Sequence, residues 1–163
     1  MDNKRVIVAV SCKIIGTVTI GCIAGSYLSL SAFMIPAITS ACSLSSIFSM
    51  INVIVRRWIR YIWPLESLAS VLFLGAYILS EPQVSHPYLL YSSFGIVSLI
   101  PATFFYIQPR ITKIIQQIQE KESLTLSERT LKNWNRFYIA NTVWACIIFA
   151  MTVVGSYGDT LSA

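Results

Sequence analysis

VIVAVSCKIIGTVTIGCIAGSYLSLSAF, residues 6–33, decides the class of this protein. Lys13 is the only charge in it, and twenty helical residues already cover about 30 Å, the thickness of a bilayer's hydrocarbon. The stretch predicts a first transmembrane helix, with Lys4 and Arg5 at its mouth. Lys13 lies about two turns from that end, close enough for its ammonium to snorkel to the same interface. A charged start before an apolar run also resembles a secretory signal, and Ser29 and Ser31 would suit a peptidase; the reading adopted is a retained anchor.

The rest of the composition agrees. Of 163 residues, 55% are hydrophobic and 12% charged, and the mean hydropathy is +0.67, too few polar groups to coat a soluble domain of this size. Twelve Lys and Arg against seven Asp and Glu give a net charge of +5. The basic residues sit at the ends of apolar runs, where membrane anchors lie, and no basic stripe with stacking aromatics runs along a polar segment. The partner implied is the lipid bilayer, not nucleic acid.

Further along, Trp63 to Ser80 and Tyr88 to Ile107 are apolar runs joined by the turn Glu81-Pro82-Gln83-Val84-Ser85-His86-Pro87. Pro64 is placed at a first helical position, with Glu66 in the first turn as a cap on the positive helix end. Pro101 is expected to kink its helix. Ile111, Ile114, Ile115 and Ile118 mark an amphipathic helix after Pro109, and Thr125-Leu126-Ser127-Glu128 has capping-box spacing for a last helix that runs into Ile139 to Val154.

Residues Pro36 to Tyr61 allow two readings. Ile38, Ala41, Phe48, Val55, Ile59 and Ile62 fall on one helical face, which predicts an amphipathic helix lying in the headgroup plane. The alternative is a weak fifth span over Ile38 to Val55, made reluctant by six hydroxyl side chains between Thr39 and Ser49. The expected fold is therefore an all-α, multi-pass transmembrane four-helix bundle in a single membrane domain. Its spans are about 6–33, 64–80, 88–107 and 135–156, with an interfacial helix between the first two and a polar helical loop over 108–134.

Thr17, Gly21, Gly25 and Ser29 recur every fourth residue, a small-xxx-small ladder that lets another backbone approach closely. It is the expected helix-packing face, and Gly21 with Gly25 a route to a homodimer. Chemistry is harder to find. No catalytic, cofactor-binding or metal-ligating set can be assembled: His86 is the single histidine, and Cys12, Cys22, Cys42 and Cys146 are scattered in apolar stretches. No phosphate loop, dinucleotide fingerprint, zinc-peptidase motif or nucleophile elbow occurs. An organising or interaction protein is expected rather than an enzyme, with no cofactor.

Two short segments carry a resemblance. His86-Pro87-Tyr88-Leu89-Leu90-Tyr91 opens the third span, and Gly155-Ser156-Tyr157-Gly158-Asp159 closes the fourth. With the Gly-rich first helix and hydroxyl-rich connector, this order of features resembles the fungal autophagy-related protein 33 family of mitochondrial outer-membrane proteins, which includes a suppressor-of-cell-division-cycle paralogue. The resemblance implies a mitochondrial outer-membrane mitophagy factor, with other outer-membrane proteins as partners; the endoplasmic reticulum or another internal membrane is the alternative location. The mitophagy member carries a longer acidic, Ser-rich loop than the one here. Trp134-Asn135-Arg136-Phe137 also departs from the aromatic-x-x-aliphatic pattern that binds autophagy ubiquitin-like proteins, so an organising role is expected over direct receptor activity. More distantly, the four-helix layout with Met34-Ile35-Pro36-Ala37 after the first span resembles the anthrone-oxygenase superfamily, which implies a cofactor-free oxygenase as the alternative.

Overall fold

A computed structural model describes residues 3–41, 44–80, 86–119 and 124–161. All of its regular elements are helices: α1 (Asn3–Ser29), a π-helical turn (Leu30–Met34), α2 (Ile35–Ala41), α3 (Leu44–Leu79), α4 (Pro87–Gln119) and α5 (Leu124–Leu161). Pro36 explains the π turn. Proline has no N–H to give the carbonyl four residues back, so the ladder shifts register just ahead of it, and the Ile35 N–H bonds Leu30 O instead.

α1 packs on α3 and α5, and α4 packs on the same two helices from the other side. Paired positions fix the directions. Gly16 meets Phe73 and Tyr27 meets Glu66, so α1 and α3 are antiparallel; Gly21 meets Phe149 and Ser31 meets Thr142, so α1 and α5 are too. Tyr88 against Gly155 and Gly95 against Ile148 make α4 antiparallel to α5. The core runs along the shared seam through Ile20, Ile23, Tyr27, Phe73, Leu89, Ile96, Tyr138 and Ile148.

The outer surface is apolar. Val18 is 61% exposed, Ile78 70%, Phe94 65% and Val154 70%, on four different helices. Three helical stretches, Lys4–Ile38, Ser49–Leu79 and Lys132–Gly158, are long and apolar enough to cross a membrane, while Pro87–Pro101 is a shorter apolar stretch. Exposed aliphatic and aromatic side chains of this kind suit lipid and not water.

Three expectations change. The segment between the first two spans is not a separate helix before Pro64: α3 runs unbroken from Leu44 through Pro64 to Leu79. Its apolar stripe turns inward, with Ile51, Val55 and Ile62 buried in the protein core. The alternative span over Ile38 to Val55 includes residues 42 and 43, which lie outside the described residues between the end of α2 at Ala41 and the start of α3 at Leu44. Pro64 lies inside α3 and is exposed, at the polar end of the apolar run, where the carbonyl four residues back can be satisfied from outside the helix. Glu66 is therefore 22 residues into α3 and not in its first turn, and no helix end is present for it to cap. The amphipathic stretch after Pro109 likewise continues α4, which passes through both Pro101 and Pro109. α5 starts at Leu124, beside the capping-box segment.

Candidate functional site

The most concentrated polar chemistry in the interior lies where α1, α3 and α5 meet. Tyr27 ends the buried stripe of α1 that runs through Ile20, Ile23 and Ala24, spaced three and four residues apart. Glu66 continues the buried stripe of α3 from Ile62 towards Ala69 and Ser70. Tyr138 does the same for α5 between Trp134 and Asn141. Helical periodicity thus carries a carboxyl group and two phenols to one point, all three at 0% exposure.

The Tyr27 hydroxyl donates to Glu66 Oε1 at 2.9 Å. Around this bond stand Trp58, 4.9 Å from the Tyr27 ring in an edge-on contact, and Tyr138, 6.2 Å from both rings. Trp134 closes the set from α5, 4.9 Å from Tyr138 and again edge-on. Such T-shaped pairs add about 0.5–1.5 kcal/mol each beyond the area they bury. Glu66 Oε2, the Tyr138 hydroxyl, the Trp58 and Trp134 indole N–H groups and Asn141 Nδ2 are buried with no hydrogen-bond partner among the described residues. This part of the interior therefore holds more hydrogen-bonding capacity than its own contacts consume, with one acceptor-rich carboxyl among several donors.

Further polar contacts join the helices, among them the Trp144 indole N–H of α5, which donates to Gly95 O at 3.3 Å and Ser98 Oγ at 3.2 Å of α4. Ser31 of the π turn shares a 3.0 Å bond with Thr142 of α5, whose hydroxyl also reaches Tyr138 O at 2.8 Å. Ser70 and Ser93 clasp α3 to α4: their hydroxyls lie 2.9 Å apart, and Ser93 Oγ donates to Ser70 O at 3.0 Å.

The two segments that carry the family resemblance come together at the opposite end. Tyr88 lies flat on Gly155, so that a Cβ added to Gly155 would fall 2.5 Å from ring Cγ. His86 stacks edge-on against Tyr88 at 6.0 Å, and Lys13 Nζ sits 5.4 Å from the Tyr88 centroid, a cation–π arrangement from α1. Leu89 is fully buried, Leu90 is half-buried, and Pro87, Tyr91, Tyr157 and Gly158 are exposed. Asp159 belongs to α5, and its side chain lies outside the described residues.

The small-residue ladder divides. A Cβ on Gly21 would lie 3.0 Å from Phe149 of α5, whereas Gly25 has nothing within 4 Å and is exposed, as is Ser29. Thr17 is half-buried and donates back to Lys13 O at 2.8 Å. Met34, Pro36 and Ala37 face outward where the π turn meets α2, and Ile35 is buried.

Glu66 belongs to the α1/α3/α5 junction and His86 to the other end, so the interior carboxyl and the histidine do not form an acid–base pair. Among the described residues no group of three or more His, Cys, Asp or Glu could hold a metal ion. The junction escapes a reading of the sequence because Tyr27, Trp58, Trp134 and Tyr138 look like ordinary interfacial aromatics. A signal was available in Glu66 itself, an acidic residue within an apolar run.

No family model matches the chain. No solved structure matches it either. The chain is similar to autophagy-related protein 33 of Gibberella zeae, with 25% identity over 177 aligned residues that cover 90% of this chain and 89% of that protein. At that identity the similarity supports a distant relationship, extending over nearly the whole of both chains.

Proposed function

We propose that this chain is a multi-pass protein of the mitochondrial outer membrane that serves mitophagy as an organising or interaction protein and not as an enzyme. The observation that carries the reading is the end-to-end similarity to an autophagy-related protein, over 90% of this chain. Apolar helices with lipid-suited outer faces support membrane insertion. The helices cross as a four-span bundle, with α4 completing the fourth crossing. Both termini then share one side, and Arg56, Arg57, Arg60, Lys132 and Arg136 gather on the other, which the positive-inside tendency assigns to the cytosol. A polar junction that ties α1 to α3 through Tyr27 and Glu66 supports an organising role.

Tags at Met1 and Ala163 test the arrangement in intact mitochondria. Both should resist added protease and become accessible only when the outer membrane is opened. Cleavage of the amino-terminal tag alone would require an odd number of crossings and overturn the four-span topology. Deletion should slow the delivery of mitochondrial protein to the vacuole; unchanged delivery, with the tagged protein still on mitochondria, would remove the mitophagy role.

A further inference from the structure

Three of the basic residues that mark the cytosolic side, Arg56, Arg57 and Arg60, form a cluster on α3. Arg56, Arg57, Arg60 and Tyr61 are all exposed and together line a concavity of about 570 Å³ on α3. Positions 56 and 60 form one i, i+4 row and positions 57 and 61 the adjacent one, so the four side chains make a compact block on one helix face. The buried positions Ile51, Val55 and Ile62 point away from it into the core. Arg56 Nε is held by Asn52 Oδ1 at 3.2 Å, one turn back on the same helix, which orients that guanidinium.

Nothing described neutralises the block. The sequence contains no Asp or Glu from Asn3 through Leu65, and the next carboxyl, Glu66, is buried and bonded to Tyr27. No carboxylate forms an ion pair with these arginines among the described residues. Their depth is set by the helix itself. The apolar run that follows, residues 61–79, covers about 28 Å at 1.5 Å per residue, one hydrocarbon thickness. The arginines therefore sit at headgroup level, with Tyr61 at 62% exposure marking the boundary.

We infer that Arg56, Arg57 and Arg60, with Tyr61, form a binding site for the phosphate of an anionic phospholipid in the leaflet on the basic side of the membrane. Guanidinium groups present paired N–H donors that match two phosphate oxygens, and three in one concavity suit a headgroup bearing more than one negative charge. The Tyr61 ring supplies an amphipathic wall between phosphate and acyl chain. Loose attraction of scattered lysines to a charged surface needs no concavity; here the cations share one. The inference rests on the membrane reading, and the experiment separates the two.

The full chain is floated with phosphatidylcholine liposomes, then purified and placed in phosphatidylcholine nanodiscs containing a minor fraction of phosphatidic acid or a phosphatidylinositol phosphate, and lipid retained by the protein is read by native mass spectrometry. The wild type should retain anionic lipid over phosphatidylcholine by at least about tenfold, and R56Q/R57Q/R60Q should lose that preference. K132Q/R136Q removes two exposed cations from the same end of the molecule and should stay within about twofold of wild type. Equal losses in both variants would reduce the effect to bulk charge and overturn the site. Inorganic phosphate or a soluble inositol phosphate that binds in detergent as well as the lipid does would overturn the lipid assignment. Flotation without headgroup preference would sink the site alone; failure of the wild type to float would sink the membrane reading as well.

Discussion

The two ends of the molecule are held together by different physics. At the basic end α1, α3 and α5 meet through large side chains and a directional bond, Tyr27 to Glu66, enclosed by Trp58, Tyr138 and Trp134. At the other end α4 and α5 approach closely where side chains are absent, with Gly155 letting the Tyr88 ring lie on the backbone and Gly95 making room for Ile148, and beside Gly95 the Trp144 indole N–H donates to Gly95 O at 3.3 Å and Ser98 Oγ at 3.2 Å. The first arrangement specifies which residues must face each other, because a buried carboxyl without its donor is costly in a medium that offers no water. At Gly155 the second specifies distance. A polar junction fixes register, and a glycine contact fixes how near two helices stand.

That contrast can be broken most forcefully at Tyr27. Tyr27→Ala removes a fully buried aromatic and the donor to Glu66 together, and should lower stability in detergent by about 3–5 kcal/mol. Tyr27→Phe keeps the ring and separates the two effects: a loss of about 1–3 kcal/mol would be the hydrogen bond to a buried carboxyl. If thermal unfolding found Tyr27→Phe equal to wild type, the junction would be held by ring packing alone and the contrast between the ends would collapse.

Gly155→Val probes the opposite end. The added branches would enter space held by Tyr88, 2.5 Å from where a first carbon would sit, and overpacking of this kind costs about 1–3 kcal/mol. Combining it with Tyr88→Ala, which vacates the ring, should recover part of the loss. Absence of any recovery would mean that strain arises elsewhere along α5.

The smallest effect separates two glycines on one helix. Gly21→Leu pushes against Phe149 and should destabilise by about 1–3 kcal/mol, whereas Gly25→Leu enters open space and should leave monomer stability within about 0.5 kcal/mol. If Gly25→Leu instead changed the oligomeric state seen by light scattering in detergent, the exposed half of the ladder would be a face for a second copy of the chain.

Much of this could be read from the residues. The apolar run of residues 6–33 is helical where the sequence places it, and the capping-box segment Thr125 to Glu128 sits at the start of α5, while residues 81–85 of the expected turn lie outside the described residues. No helix begins at Pro64, the first helical position the sequence assigns to it, because α3 runs through it from Leu44 to Leu79. An exposed proline at the polar end of an apolar run gives up one hydrogen bond to a carbonyl that polar surroundings can satisfy. Glu66 was misread for the same reason: capping depends on where a helix begins, and that depended on Pro64.

Composition and periodicity determined that this chain is helical, apolar on its outside and basic at the ends of its apolar runs, because those properties belong to each segment by itself. Which small residues touch anything was decided by tertiary packing, since Gly21 and Gly25 occupy the same local pattern and differ only in having Phe149 opposite one of them. The meeting of Tyr27, Glu66 and Tyr138 was decided the same way. Residues 39 and 72 positions apart become neighbours only when antiparallel helices set their register, and no local preference encodes that alignment.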